Sequence, residues 1–222
     1  STAILSDDEK ALGVCVVDMG GGSCNLIYFV NGSVAHISVI PVGGQHFTHD
    51  VAVGLRTPQI FAEELKVKYG LAMASLVSDD DVMEVEGVGG RKTRTVLRRE
   101  IAEVIEPRAE EILQLIQNDL RMSGLLPLMG SGVVLTGGAS QLEGLVEMGE
   151  FIFDIPIRRA VPGKVGGLSE IVKSPASSTA VGLLLYGASQ RKHHANFNGS
   201  DLFSESLQNL SNKLKGFFEN IF

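Results

Sequence analysis

The chain has 222 residues, of which 44% are hydrophobic and 20% charged, so it is long enough to bury a sizeable core as one large or two small domains. Its formal charge of −7 excludes nucleic acid as the main partner, because phosphate neutralisation needs a basic surface. Two cysteines make no disulfide framework, which fits a reducing compartment, and no apolar run approaches the ~20 residues of a membrane-spanning helix. The sequence starts at Ser1, which points to a piece of a longer protein.

The run Val14 to Val17 is short, β-branched and stopped by three glycines, Gly20 to Gly22. It predicts a buried strand that ends in a tight turn. Such a turn is either the tip of a hairpin or a cradle whose outward amides take an anion, phosphate first among them. After it, two apolar segments flank Asn31-Gly32, the pair suited to a type I′ turn, so residues 14 to 41 predict a three-stranded meander. In "TPQIFAEELKVKYG", Thr57 reads as a helix N-cap, Pro58 as the first helical residue and Gly70 as the stop. Ile60, Phe61, Leu65 and Tyr69 then share an apolar face, and Glu63 and Lys66 project together from the other side. His46 and His49 could share a helix face as metal ligands, but with no third ligand of suitable type nearby they read as packed residues.

Residues 81 to 100 alternate charged and apolar types around Gly89-Gly90, which predicts a second hairpin, and "IAEVIEPRAEEILQLIQNDL" reads as a helix kinked at Pro107. Then "GVVLTGGASQLEGL" repeats the opening pattern: a strand at 133 to 135, the pair Gly137-Gly138 and a helix from about Ser140, again suited to a phosphate. "SPASSTAVGLLLYGAS" reads as a buried helix with small residues at Ala180 and Gly182. Arg91, Lys92, Arg94, Arg98 and Arg99 form a basic stretch that suits an acidic-peptide dock, a nucleic-acid patch or a solvated face balanced by nearby glutamates.

A polar, turn-rich linker at 188–202 precedes a last segment, 203–222. There Phe203, Leu207, Leu210, Leu214, Phe217, Phe218 and Ile221 fall within an arc of about 100° on a helix. The linker argues against a helix packed on its own domain, and the short length argues against a coiled coil. An amphipathic helix lying on a membrane surface remains. Lys213 and Lys215 offset Glu205 and Glu219, so apolar insertion must supply most of its affinity.

Neither glycine cluster is a Walker A motif or a GxGxxG. "DMGGGSCN" instead resembles the second phosphate motif of the actin, Hsp70 and hexokinase ATPase superfamily, "VVLTGGAS" resembles its adenosine motif, and "AEELK" its purine- and ribose-contacting helix. With "LGVCVVDMGGG", "GVGGRKTR", "AEVIEPR", "VVLTGGASQLEG" and "STAVGLLLYG", the chain is most similar to the FtsA family of bacterial cell-division proteins across nearly its whole length.

That resemblance implies an α/β, actin-like (ribonuclease H-like) fold: a mixed sheet with flanking helices, and a C-terminal amphipathic helix. Residues 1–70 and 125–187 would form subdomain IIA, 71–124 an inserted subdomain IIB, 188–202 the linker and 203–222 the membrane-targeting helix. It implies ATP and Mg2+ as ligands. Asp18 would hold magnesium through water, Gly20, Gly21, Gly22 and Ser23 would wrap the β- and γ-phosphates, Glu63 and Lys66 would line the ribose and purine, and Gly137 and Gly138 would lie under the α-phosphate and adenosine.

The superfamily often has an acid where this sequence has Asn25, and only the second half of its cleft is represented. Half a nucleotide site is therefore expected, with hydrolysis weak or absent in this chain alone. By the same resemblance Arg94 and Arg108 would bind the C-terminal tail of FtsZ. The protein would then be an adaptor that self-associates into actin-like filaments, meets other division proteins and anchors FtsZ filaments to the cytoplasmic face of the membrane at the division site. The other reading is a different ATPase of the superfamily: a pilus-assembly adaptor, a chaperone or a small-molecule kinase.

Overall fold

A computed structural model describes residues 1–78, 80–163 and 172–194. The chain divides into two compact units, Ser1–Gly182 and Leu183–Phe222; the sheets and helices below belong to the first, except the last helix, which begins in the first and continues into the second. The residues of the expected membrane helix, Phe203 to Ile221, lie outside the described residues.

A capping box between Ser6 and Glu9 starts the short helix α1 (Asp7–Leu12). The meander follows as β1 (Val14–Met19), β2 (Cys24–Val30) and β3 (Ser33–Ile40), each antiparallel to the next. Asn31 and Gly32 turn between β2 and β3 with φ of 51° and 80°, as a type I′ turn requires. Two further strands, β6 (Val133–Thr136) and β7 (Ile157–Arg159), add in parallel beside β1, giving the order β3-β2-β1-β6-β7. β1 is therefore central, and its uninterrupted apolar run reflects burial on both faces. Cys15, Val17 and Met19 face the larger core, whereas Val14 and Val16 join Phe29, Val134 and Leu5 on the other side.

The larger core lies under the helices inserted between β3 and β6. These are α2 (Gly44–Gly54), α3 (Gln59–Tyr69) and α4 (Arg98–Met122), and α5 (Leu145–Phe153) joins them after β6. α4 buries Ile101, Ile105, Ile112, Leu113, Ile116 and Leu120, a three-four repeat, and it continues through Pro107 to Met122. The hairpin of β4 (Val82–Val85) and β5 (Arg94–Leu97) forms a separate two-stranded sheet. Its inward residues Met83, Val85 and Val96 nonetheless join the core shared by α4 and the five-stranded sheet.

Several local expectations are corrected. Thr57 does not cap α3: Pro58 holds the N-cap position, and the buried Thr57 hydroxyl has no partner. On α3 the buried residues are Ala62 and Leu65, while Ile60 is 75% exposed, because the helix turns that edge toward an open cleft. The helix after Gly137-Gly138 starts at Leu145 rather than Ser140. A 3-10 turn, Gly138–Gln141, comes first, and Gly144 at φ +78° sets the helix start. The final helix, α6 (Ser178–His194), buries Ser178 and Val181 in its opening turns but leaves Ala180 exposed, so it is not the buried helix expected.

One polar cluster ties α4 to the sheet. Tyr28 and Ser38 donate hydroxyls to Asp119 Oδ1, the latter at 2.7 Å. Burial, then the neighbouring Cys15 and Asp119, push the Tyr28 phenol well above its usual range, so it stays protonated as the donor. Asp119→Ala removes the acceptor that both hydroxyls share and is expected to lower stability by ~1–3 kcal/mol in urea melts. Tyr28→Phe alone should cost less, and the double variant less than the sum of the two. Strict additivity would show that the three groups do not act together.

Candidate nucleotide site

The site grows from the C-terminal ends of the parallel strands β1 and β6. The turn after β1 is closed by Gly20 N–H donating to Ser23 O at 2.9 Å. Its carbonyls face α2, where Gly44 N–H donates to Gly20 O (2.9 Å) and Gln45 N–H to Gly21 O (2.7 Å). The first amides of α2 thus find partners in the glycine turn rather than in a capping side chain. The two backbones approach so closely that a Cβ on Gly43 would lie 2.6 Å from Gly20 O and 2.8 Å from Gly21 O. His46 adds to the junction by accepting the Gly43 N–H at Nδ1, 3.1 Å away, a local cap in place of a metal site.

Gly137, after β6, has φ +85°, and a side chain there would strike Asp18 Oδ1 at 2.4 Å and Met19 O at 2.5 Å. The two glycine motifs, more than a hundred residues apart, are therefore neighbours across the β1–β6 pair, whose register sets Asp18 beside Thr136. The Asp18 carboxylate leans over Gly137, and its Oδ2 accepts the Thr179 hydroxyl at 2.6 Å.

On α3, Lys66 Nζ donates to Glu63 Oε2 at 2.6 Å, to Thr48 Oγ1 at 2.9 Å and to Gly44 O at 3.2 Å. Thr48 in turn donates to Glu63. Burial opposes the charge on Glu63, but the hydrogen bonds from Lys66 and Thr48 outweigh it and hold the carboxyl below its usual range. The Lys66 side chain is 14% exposed and that of Glu63 50%. The pair is thus fixed through Thr48 to the first turns of α2 rather than loosely solvated.

A cavity of about 1230 Å³ joins these parts, lined by Gly20 and Gly21, by Glu63 and Lys66, and by Gly138. Ile60 and Val67 of α3, both 75% exposed, line it as an apolar strip. Asp18, Gly22, Ser23 and Gly137 sit beside this space rather than in its lining. A Cβ on Gly22 would meet no atom within 4 Å, so no protein packing explains the missing side chain there. Reading the sequence missed Thr48, Thr179 and the apolar strip. The hydroxyls stand outside any glycine motif, and the strip imitates a core-facing helix face.

Arg94 and Arg108 lie outside the cavity. Arg94 Nη2 donates to Leu55 O at the end of α2 (2.7 Å). Arg108 makes a two-pronged contact with Asp50, 2.6 and 3.2 Å, and also meets Glu111. The hydrogen bond to Asp50 leads the effects that raise the Arg108 pKa. Arg94 shares a smaller cavity of about 390 Å³ with Arg56, Arg91, Lys92 and Glu100, a mainly basic pocket beside the loop between β4 and β5. Both cysteines are free and buried. Burial pushes the Cys24 thiol up to about 12 and Cys15 higher still, leaving both protonated and unreactive.

The model of the family described as "Cell division protein FtsA" matches residues 15–182. The chain is similar to cell division protein FtsA of Pseudomonas aeruginosa, 46% identical over 185 residues that cover 83% of this chain and 44% of that protein. It is 42% identical over 194 residues to the Escherichia coli K12 protein of the same name, covering 84% and 46%. The chain therefore spans less than half the length of either of these two relatives. Among solved structures it resembles MreB5 of Spiroplasma citri bound to ADP, with a TM-score of 0.64 at 17% identity over 85% of this chain and 57% of that one. At that identity the likeness speaks for the fold alone, which is actin-like. Matched by the family model over most of its first compact unit and above 40% identical to two of its members, the chain belongs to the FtsA family of cell-division proteins.

Proposed function

We propose that this chain supplies the second half of an ATP cleft, subdomains IIA and IIB, in a cell-division adaptor. One observation carries this reading: the cavity gathers glycine turn, Glu63–Lys66 pair and Gly138 turn around one concave space. Each part suits a different piece of a nucleotide. Gly20 N–H closes the turn on Ser23 O, the remaining amides of the turn, at 21 to 23, suit the β- and γ-phosphates, and the open space over Gly22 leaves room for them to press on the backbone. Glu63 offers an acceptor for ribose hydroxyls, Lys66, whose three N–H groups already meet Glu63, Thr48 and Gly44 O, a positive charge beside it, and Ile60 and Val67 an apolar surface for a purine ring. The ADP-bound state of MreB5 is consistent with such a ligand on this fold.

Magnesium fits the donor set as an ion held through water. Among the described residues no group of three or more His, Cys, Asp or Glu side chains gathers for direct ligation, and Asp18 stands at the cavity's edge with one oxygen beside Gly137. Mg2+ commonly keeps its waters and takes one carboxylate together with phosphate oxygens. When bound it would neutralise phosphate charge, while this chain's residues orient the nucleotide. The other wall of the cleft would belong to the part of the relatives' length that this chain does not span, so this chain alone should bind ATP weakly.

The adaptor role has two further parts. Arg94 and Arg108, with the basic pocket around Arg91 and Lys92, are the proposed dock for the acidic C-terminal tail of FtsZ. Residues 203–222 are the proposed tether to the cytoplasmic face of the membrane at the division site. Self-association into actin-like filaments and contacts with other division proteins complete the reading.

Three measurements test it. In the full-length protein, Gly22→Ala should leave the melting temperature unchanged, because the added methyl has free space, yet weaken binding of a fluorescent ATP analogue at least ~10-fold by obstructing the phosphates. Unchanged affinity would remove phosphate from that turn.

Arg94→Ala should weaken binding of an FtsZ tail peptide several-fold, and raising the salt concentration should do the same, since such pairs are screened. Arg108→Ala also frees Asp50, so its effect is read beside a thermal melt. Full affinity in both folded variants would clear both residues.

Deleting 203–222 should release the protein from neutral vesicles, and the corresponding peptide should gain helicity only when lipid is added. Helix in buffer alone, or a deletion variant that still sediments with vesicles, would overturn the tether.

A further inference from the structure

The Asp18 carboxylate is held through one of its oxygens. Oδ1 occupies space that a side chain on Gly137 would take, and Oδ2 accepts the Thr179 hydroxyl at 2.6 Å. Thr179 is itself set in place by the end of β6. Thr136 Oγ1 lies 2.6 Å from Ser178 Oγ, and Gly137 N–H donates to Pro175 O at 3.1 Å. Ser174 accepts the Ala176 amide at 3.3 Å, and the 3-10 turn Pro175–Ser177 leads directly into α6. The hydroxyl that meets Asp18 is thus carried on a backbone fastened to the strand next to Asp18's own. Ser178 is buried at that junction, while Thr179 is exposed and gives its hydroxyl to the carboxylate.

We infer that Thr179 is a positioning residue for metal–nucleotide binding: it takes up Oδ2 and so presents Oδ1 of Asp18 toward the water shell of the magnesium ion. The inference rests on the nucleotide reading above. A carboxylate free to rotate would have to be ordered each time the ion binds, and here that ordering is built into the fold. Outer-shell hydrogen bonds of this kind fix how a carboxylate is presented to a metal ion or its waters.

The test uses the full-length protein and a fluorescent ATP analogue, titrated with Mg2+ and again with excess chelator. Thr179→Val keeps the shape and removes the donor. It should weaken binding about 3- to 10-fold with Mg2+ present and leave the chelator value unchanged. Thr179→Ser keeps the donor and should restore wild-type affinity. Should Thr179→Val melt early, Thr179→Ala carries the same comparison. Equal losses with and without Mg2+, or a serine variant as weak as the valine one, would overturn the positioning role while the site reading stands. A wild-type protein that binds no analogue at all would remove both.

Discussion

The fold hinges on how closely three stretches of main chain meet at the ends of β1 and β6. Gly43 lies against the carbonyls of Gly20 and Gly21, and Gly137 lies against Asp18 and Met19. At these contacts a single methyl group would fall 2.4–2.8 Å from backbone or carboxylate oxygens, well inside van der Waals contact. The entropy that glycine loses on folding is accepted there because no other residue lets the strands end side by side with their turns stacked. Everything else in the site follows from that junction. α2 begins where the glycine turn can saturate its amides, Asp18 leans over Gly137, which has no Cβ to block it, and the cavity is lined by residues of both turns.

Strands and glycine turns were legible in the sequence because they are local. β-Branched runs ending at Gly20 and Gly137 and the Asn31-Gly32 pair each carry their own dihedral demands. Helix α3 was legible in existence but not in orientation. Its apolar residues occupy more than one face, and periodicity cannot distinguish a stripe that meets a core from one that lines a cleft, so Ile60, grouped with Leu65 on one apolar face, lines the cleft while Ala62 is buried. The cap was misread for a related reason. Thr57 has the right chemistry for an N-cap, but Arg56 at φ +49° and the Thr57 N–H bond to Ala52 O hold it in the turn that ends α2.

Of the candidate site, Glu63 and Lys66 could be paired from their spacing, yet spacing alone describes an ordinary surface pair. What distinguishes them is Thr48, fifteen residues from Glu63, which accepts from the ammonium and donates to the carboxylate. Only tertiary structure brings it there. Thr179 is the same kind of case at longer range, 161 residues from Asp18. Hydroxyls are common and carry no motif of their own. Their meaning comes from the charged group they meet, and that meeting is fixed by strand order rather than by sequence neighbours.

Helix α2 is the strut between the cavity and the basic hairpin. Its first amides hold the glycine turn, Thr48 in its second turn holds the Glu63–Lys66 pair, Asp50 takes the fork of Arg108, and Leu55 O just past its end accepts from Arg94. Eleven residues at about 1.5 Å each make a rod of roughly 16 Å, short enough to move as one piece. Phe47 and Val51 anchor that rod in the core. Its polar contacts therefore share one rigid frame, and Arg94 and Arg108, though remote in sequence from the glycine turn, are separated from it by a single helix.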